Sequence, residues 1–134
     1  MKKWLLIGLL LTGAAMASDK IEHPCTVKGG GVTAGYLCAV DKMDIADKEL
    51  NRTYLEALKR VKEEETALRK TWEKTDLVKP FRAAQRAWLT FRDAQCRFSG
   101  LSSTPSPWQA VQIEECKVRM TLERIAYFKA VYVG

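Results

Sequence analysis

The sequence predicts an all-α protein, a three-helix up-down arrangement (a long helical hairpin plus a third helix) stapled by two disulfides. Three observations predict it. Apolar residues recur at spacings of three, four and seven through three long segments, which is the helical period. Short stretches rich in Gly, Pro and Ser separate those segments. Four cysteines follow an export leader, and an even count in an exported chain reads as two disulfides.

The leader comes first. Lys2 and Lys3 give a positive start, the run from Leu5 to Leu11 is apolar, and Ala15-Met16-Ala17 is a small-x-small cleavage site. That order predicts a signal peptide over 1–17. The apolar run is shorter than the ~20 residues a membrane span needs, so no stable membrane anchor is expected after cleavage. No cysteine stands directly after Ala17, where one would be needed to carry acyl chains. The short basic start and the Ala-x-Ala site predict a bacterial protein, periplasmic or secreted. Loss of Lys2 and Lys3 takes the formal charge from +6 to +4.

Residues 18–38 carry Pro24, the run Gly29-Gly30-Gly31 and Gly35, with no apolar period. They predict an irregular N-terminal segment tethered by a disulfide, ahead of a helical domain over 39–134. No Lys-Ser/Thr pair follows the glycines and no strand precedes them, so they do not form a phosphate loop.

Helix 1 is predicted over about 40–73. Its stripe is Met43, Ala46, Leu50, Tyr54, Ala57, Val61, Leu68 and Trp72, and no Gly or Pro interrupts the chain between Lys42 and Lys79. The run Glu63-Glu64-Glu65 reads as a solvated face. Helix 2 is predicted over about 77–98, with Thr75-Asp76 as its cap, Pro80 in its first turn and a stripe of Leu77, Phe81, Ala84, Trp88, Phe91 and Gln95. Residues 99–107 are a loop by composition. Helix 3 is predicted over about 107–131, capped by Ser106 and started by Pro107. Trp72, Phe81, Trp88 and Phe91 are expected in the core.

Four cysteines allow three pairings. Local pairing is preferred, because Cys25 with Cys38 and Cys96 with Cys116 each flank one turn-rich stretch. The two staples would then sit at the two ends of the arrangement, each contributing about 3 kcal/mol.

Catalytic chemistry is hard to assemble from this inventory. His23 is the only histidine and is expected to be solvated; with the cysteines paired, no Cys-His couple remains. No close C-x-x-C pair suggests a metal, and no G-x-S-x-G or H-E-x-x-H occurs. The expectation is a non-enzyme without cofactor or metal. Asn51-Arg52-Thr53 matches a glycosylation sequon but lies mid-helix, as a coincidence. Asn51, Gln85, Arg92 and Arg124 fall beside the apolar stripes, where a structural network and a polar binding spot are both open readings. In the first, Arg92 or Arg124 meets Asp47 or Asp93, and Gln85 meets a backbone carbonyl.

Longer motifs carry a resemblance. The segment Asp47-Lys48-Glu49-Leu50-Asn51-Arg52-Thr53-Tyr54 resembles the D-x-E-L-N-x-x-Y element of the LprI-like lysozyme-inhibitor family. The segment Ala84-Gln85-Arg86-Ala87-Trp88-Leu89-Thr90-Phe91-Arg92-Asp93-Ala94-Gln95-Cys96 is similar to its A-Q-R-A-W-L-x-[FY]-R-D-A-x-C signature. Cys116 followed by Thr121 and Arg124 resembles the closing element of a cysteine and then T-x-x-R, and Cys25 and Cys38 match the leading cysteine pair. The resemblance implies an exported, disulfide-bonded helical domain that binds and blocks a lysozyme-type glycoside hydrolase. It marks Leu50, Asn51, Tyr54, Gln85, Trp88, Arg92, Asp93, Thr121 and Arg124 as signature residues of structural character.

A glycoside-hydrolase cleft holds two carboxylates, which a basic loop can plug. The candidate plug is the loop with Arg97, Phe98, Ser99, Ser102, Ser103 and Trp108; the alternative is that Phe98 and Trp108 cap the open end of the hairpin. A second function reading is a basic envelope module that contacts peptidoglycan, an anionic outer-membrane polymer or an anionic protein. Nucleic acid is not an expected partner of an exported chain. Peptide mapping of the unreduced protein is expected to join Cys25 to Cys38 and Cys96 to Cys116; a Cys25–Cys96 or Cys25–Cys116 peptide overturns the local pairing.

Overall fold

Gly29 and Gly31 take φ values of +74° and +61°, a backbone region that glycine enters without strain. This turn launches the first helix. The computed structural model describes residues 22–102 and 105–132. The expected signal peptide over 1–17 lies outside the described residues. Three α-helices follow: α1 Gly31–Leu68, α2 Val78–Leu101 and α3 Gln109–Ala130. The described residues contain no strand.

Helix α1 starts earlier than its apolar stripe. The segment expected to be irregular to residue 38 is helical from Gly31, so that part of the N-terminal boundary is corrected. Two contacts support these turns. Cys38 is bonded back to Cys25, and the Trp108 ring lies so close to Gly35 that a side chain there would meet it at 2.8 Å. Both contacts come from outside the helix, which is why periodicity does not reveal them.

The same helix ends at Leu68, before Trp72. Trp72 N–H donates to the Leu68 carbonyl at 2.8 Å in a closing turn, and the indole is 63% exposed. Trp72 is therefore not a core residue. Phe91 is not one either, at 55% exposed on the outer side of α2.

Helix α2 opens at Val78 with Pro80 in its first turn, where a missing N–H leaves no bond unmade. Asp76 Oδ1 accepts from the Lys79 amide at 3.2 Å. The stronger cap arrives from α1: Glu65 Oε2 accepts the Leu77 and Val78 amides at 2.8 and 3.0 Å. Glu65 was expected on a solvated face; the hairpin instead folds its carboxylate onto the free donors of the next helix. Those amides, Val78 foremost and then Leu77, hold its pKa below the ordinary value.

Helix α2 continues through Leu101, so Arg97, Phe98 and Ser99 are helical and do not belong to a loop. Helix α3 starts at Gln109, two residues later than expected; Ser106 Oγ accepts the Trp108 amide at 3.1 Å in the turn before it.

Contacts fix the directions. Gly35 lies by Trp108 and Arg60 lies by Val131, so α3 runs parallel to α1. Arg92 lies by Asp47 and Phe81 by Tyr54, so α2 runs antiparallel to both. Helix α1 packs chiefly on α3, and α2 packs more on α3 than on α1. The main core holds Leu50, Ala57, Ile125 and Phe128, flanked by Tyr54, Phe81, Trp88, Leu89 and Val131. Tyr54, Phe81 and Phe128 form an aromatic triangle with ring centres 5.5 to 5.8 Å apart.

The disulfides pair locally, Cys25 with Cys38 and Cys96 with Cys116. They do not sit at opposite ends. Cys38 is in the first turns of α1, Cys96 in the last turns of α2 and Cys116 in the first turns of α3, all toward one end of the bundle. The other end is held by Glu65 and by Arg60, whose guanidinium donates to the Phe128 and Val131 carbonyls at 2.6 and 2.7 Å. These are among the carbonyls left open at the α3 terminus.

Phe128 is fully buried and touches both other aromatic rings of the triangle. Phe128→Ala is expected to lower unfolding free energy by about 3–5 kcal/mol in denaturant titration of the oxidised protein. A change below about 1 kcal/mol contradicts the placement of the core.

Candidate functional site

Most of the polar signature residues meet in one place between the helices. Arg92 on α2 is the hub. Its Nη1 donates to Asp47 Oδ1 of α1 at 2.8 Å and to Thr121 Oγ1 of α3 at 3.0 Å, and its Nε donates to Asp93 Oδ1 at 2.9 Å. The side chain is 8% exposed and Thr121 is fully buried. Burial lowers the Arg92 pKa, but the hydrogen bonds to Asp47 and Asp93 outweigh it and leave the value raised.

Trp88, one turn before Arg92, carries a second guanidinium. The Arg92 and Arg124 carbons lie 5.5 and 5.4 Å from its ring centre. Arg124 also lies 4.6 Å from the Tyr127 ring and 4.9 Å from the Phe128 ring. Its Nε donates to Gln85 Oε1 at 3.0 Å. No hydrogen bond among the described residues joins it to a carboxylate, and burial pulls its pKa down. Gln85 thus meets a side chain and not the expected backbone carbonyl.

Among the described residues no buried side-chain nitrogen or oxygen lacks a partner. The buried atoms of the network are therefore satisfied from within the protein. Leu50 is core and Tyr54 stacks on Phe81. Asn51 is different: it is exposed on α1 and takes no part in the network.

The candidate plug residues divide. Arg97, Phe98, Ser99 and Ser102 are exposed at the end of α2, with Phe98 at 68%. Ser103 lies outside the described residues. Trp108 covers Gly35, so it caps the α1 start, whereas Phe98 projects outward. Gly100 is buried, and a side chain there would collide with Ile113. That close approach seats the α2 end on α3.

Sequence reasoning missed several groups. His23 is not simply solvated; its Nε2 lies 3.2 Å from Asp41 Oδ2, and its Nδ1 accepts the Cys25 amide at 3.3 Å. Among the described residues the one cluster of metal-ligating types is His23, Cys25 and Asp41. Cys25 is bonded to Cys38, so it has no thiolate to offer. Glu49 holds Arg52 on its own helix and Lys129 on α3, and those bonds, Arg52 first, lower its pKa to about 2. The outward face of α2 also went unread, although one sequence signal marks it: Asp93 is the only acid in a helix with five cations.

Two of the shallow hollows on the described surface lie against α3. One of about 390 Å³ lies between Phe81, Tyr127 and Tyr132 near the α3 end. The other, about 330 Å³, lies between Ile45 of α1 and Leu122 of α3. No helix among the described residues is long and apolar enough to cross a membrane.

Fold and site together define a class: a small all-α domain, doubly disulfide-bonded, most of whose polar signature residues bond to one another between the three helices. More particularly, the chain belongs to the LprI lysozyme-inhibitor family, whose model, described as "Lysozyme inhibitor LprI", matches residues 28–128. It is also similar to an uncharacterized protein of Rhizobium meliloti, 26% identical over 126 residues that span 92% of this chain and 89% of the relative. No solved structure matches the chain.

If the Arg92 network serves register, Arg92→Ala is expected to lower stability by about 2–4 kcal/mol, since it strands Thr121 and uncovers Trp88. Thermal unfolding checks this. The folded fraction should keep the partner affinity of the parent; lost affinity with unchanged stability would make Arg92 a binding residue.

Proposed function

We propose that this protein is exported to the periplasm or the medium and there binds and blocks a peptidoglycan-cleaving lysozyme. The observation that carries this reading is membership of a lysozyme-inhibitor family over residues 28–128. The division of residues supports it. The buried signature makes the scaffold, which leaves recognition to exposed residues such as Arg97 and Phe98. Phe98, an exposed aromatic beside an exposed arginine, has the composition of an interface anchor. A cleft that hydrolyses glycosides carries two carboxylates, so a cationic intruder meets complementary charge there. The leader over 1–17 and the two disulfides support an oxidising destination.

The mature, oxidised protein over 18–134 is expected to slow the clearing of a bacterial cell-wall suspension by at least one lysozyme type, in proportion to its concentration. No inhibition of any of several lysozyme types, even at large molar excess, rejects the reading.

A further inference from the structure

Helix α2 stands at the edge of the bundle. It packs on α3, touches α1 less, and is exposed along most of its length. Its outward residues fall into two adjacent stripes. Lys79, Arg82, Arg86 and Arg97 share one side of the helix, at offsets that return to the same face of a 3.6-residue turn. None of the four is in an ion pair among the described residues, whereas Lys48 and Arg52 of α1 and Lys117, Arg119 and Lys129 of α3 are paired. Asp93, the one acid of α2, is held by Arg92. Beside this row run Ala83, Ala87, Phe91, Ala94 and Phe98, all exposed. Phe91 and Phe98, seven residues apart, lie two turns apart on the same stripe. A hollow of about 350 Å³ lined by Lys79, Arg82 and Arg86, with Asp76 and Val78, marks the head of the cationic row.

We propose that this outward face of α2, with Arg82, Arg86 and Arg97 flanking Phe91 and Phe98, is the surface that enters the acidic substrate cleft of a lysozyme-type glycoside hydrolase. The assignment rests on the inhibitor reading above. Shape favours a cleft. An edge helix is a ridge about 10–12 Å across, and its small alanines let a facing wall come close. Charge favours an anionic site, since four unpaired cations line one flank and carboxylates line a glycosidase cleft. The apolar stripe favours a protein surface over a charged polymer. Polymer attraction needs only the cations, whereas two exposed phenylalanines gain by burial in a fitted contact. The binding residues thus extend along α2 well past the turn after it.

The test uses the mature oxidised protein and a lysozyme that the parent inhibits. R82E/R86E and F91A, all at exposed positions, should keep the parent's circular dichroism and melting temperature. Each is expected to weaken inhibition at least ~10-fold, and inhibition by the parent should weaken as salt rises. K59E/K62E on exposed α1 makes the same change in net charge and should inhibit like the parent. Parent-like inhibition by R82E/R86E and F91A overturns the assignment and leaves the inhibitor reading standing. Equal losses in R82E/R86E and K59E/K62E reduce the effect to bulk charge and also overturn it. If R82E/R86E loses co-sedimentation with peptidoglycan but keeps inhibition, the face binds polymer and the assignment fails. A parent that inhibits no lysozyme removes the function and this face with it.

Discussion

One guanidinium reaches all three helices. Arg92 leaves α2, bonds to Asp47 of α1 and to Thr121 of α3, and lies over Trp88 on its own helix. The apolar contacts alone would hold α1 to α3 well and α2 to α1 poorly, because the α1–α2 contact is the thinnest of the three. Apolar surfaces also tolerate sliding, since burial has no direction. Hydrogen bonds between charged groups have direction and fixed length, so they set register where packing leaves it loose. Helix α2 is thereby placed at one height against both neighbours. That height brings Cys96 to Cys116, Gly100 to Ile113 and Leu77 to Glu65.

Local features were legible in the sequence. The three helices, the pairing of neighbouring cysteines and the interhelical use of Gln85, Arg92 and Arg124 follow from apolar spacing and from the need of buried polar groups for partners. Boundaries were less legible. The first turns of α1 look irregular because glycines and a proline dominate them, and what supports them is a ring from α3 and a sulfur from the preceding loop. Trp72 continues the α1 stripe on paper, yet the chain has already turned by the time it is reached.

Polar residues misled in both directions. Glu65 belongs to an acidic run that looks like plain solvent-facing surface, and its role appears only when the next helix begins beside it. Asn51 stands within a signature element and looks structural, yet it is exposed. The cationic row of α2 needed the structure for a different reason. Lys79, Arg82 and Arg86 stand out only once the neighbouring helices are known to supply them no carboxylate. Periodicity says which face of a helix is apolar; it does not say whose charges lie opposite.

Both sulfur bridges lie toward the same end of the bundle, and the opposite end is fastened by carboxylate and guanidinium caps. The molecule is therefore two materials joined along its length. Reduction acts on the bridged end, whereas at the other end the Glu65 cap is the part that weakens as pH falls through its lowered pKa. The end of α2 that presents Arg97 and Phe98 is carried on the covalently bridged half. The surroundings that form the bridges thus also decide which part of the surface is covalently tied.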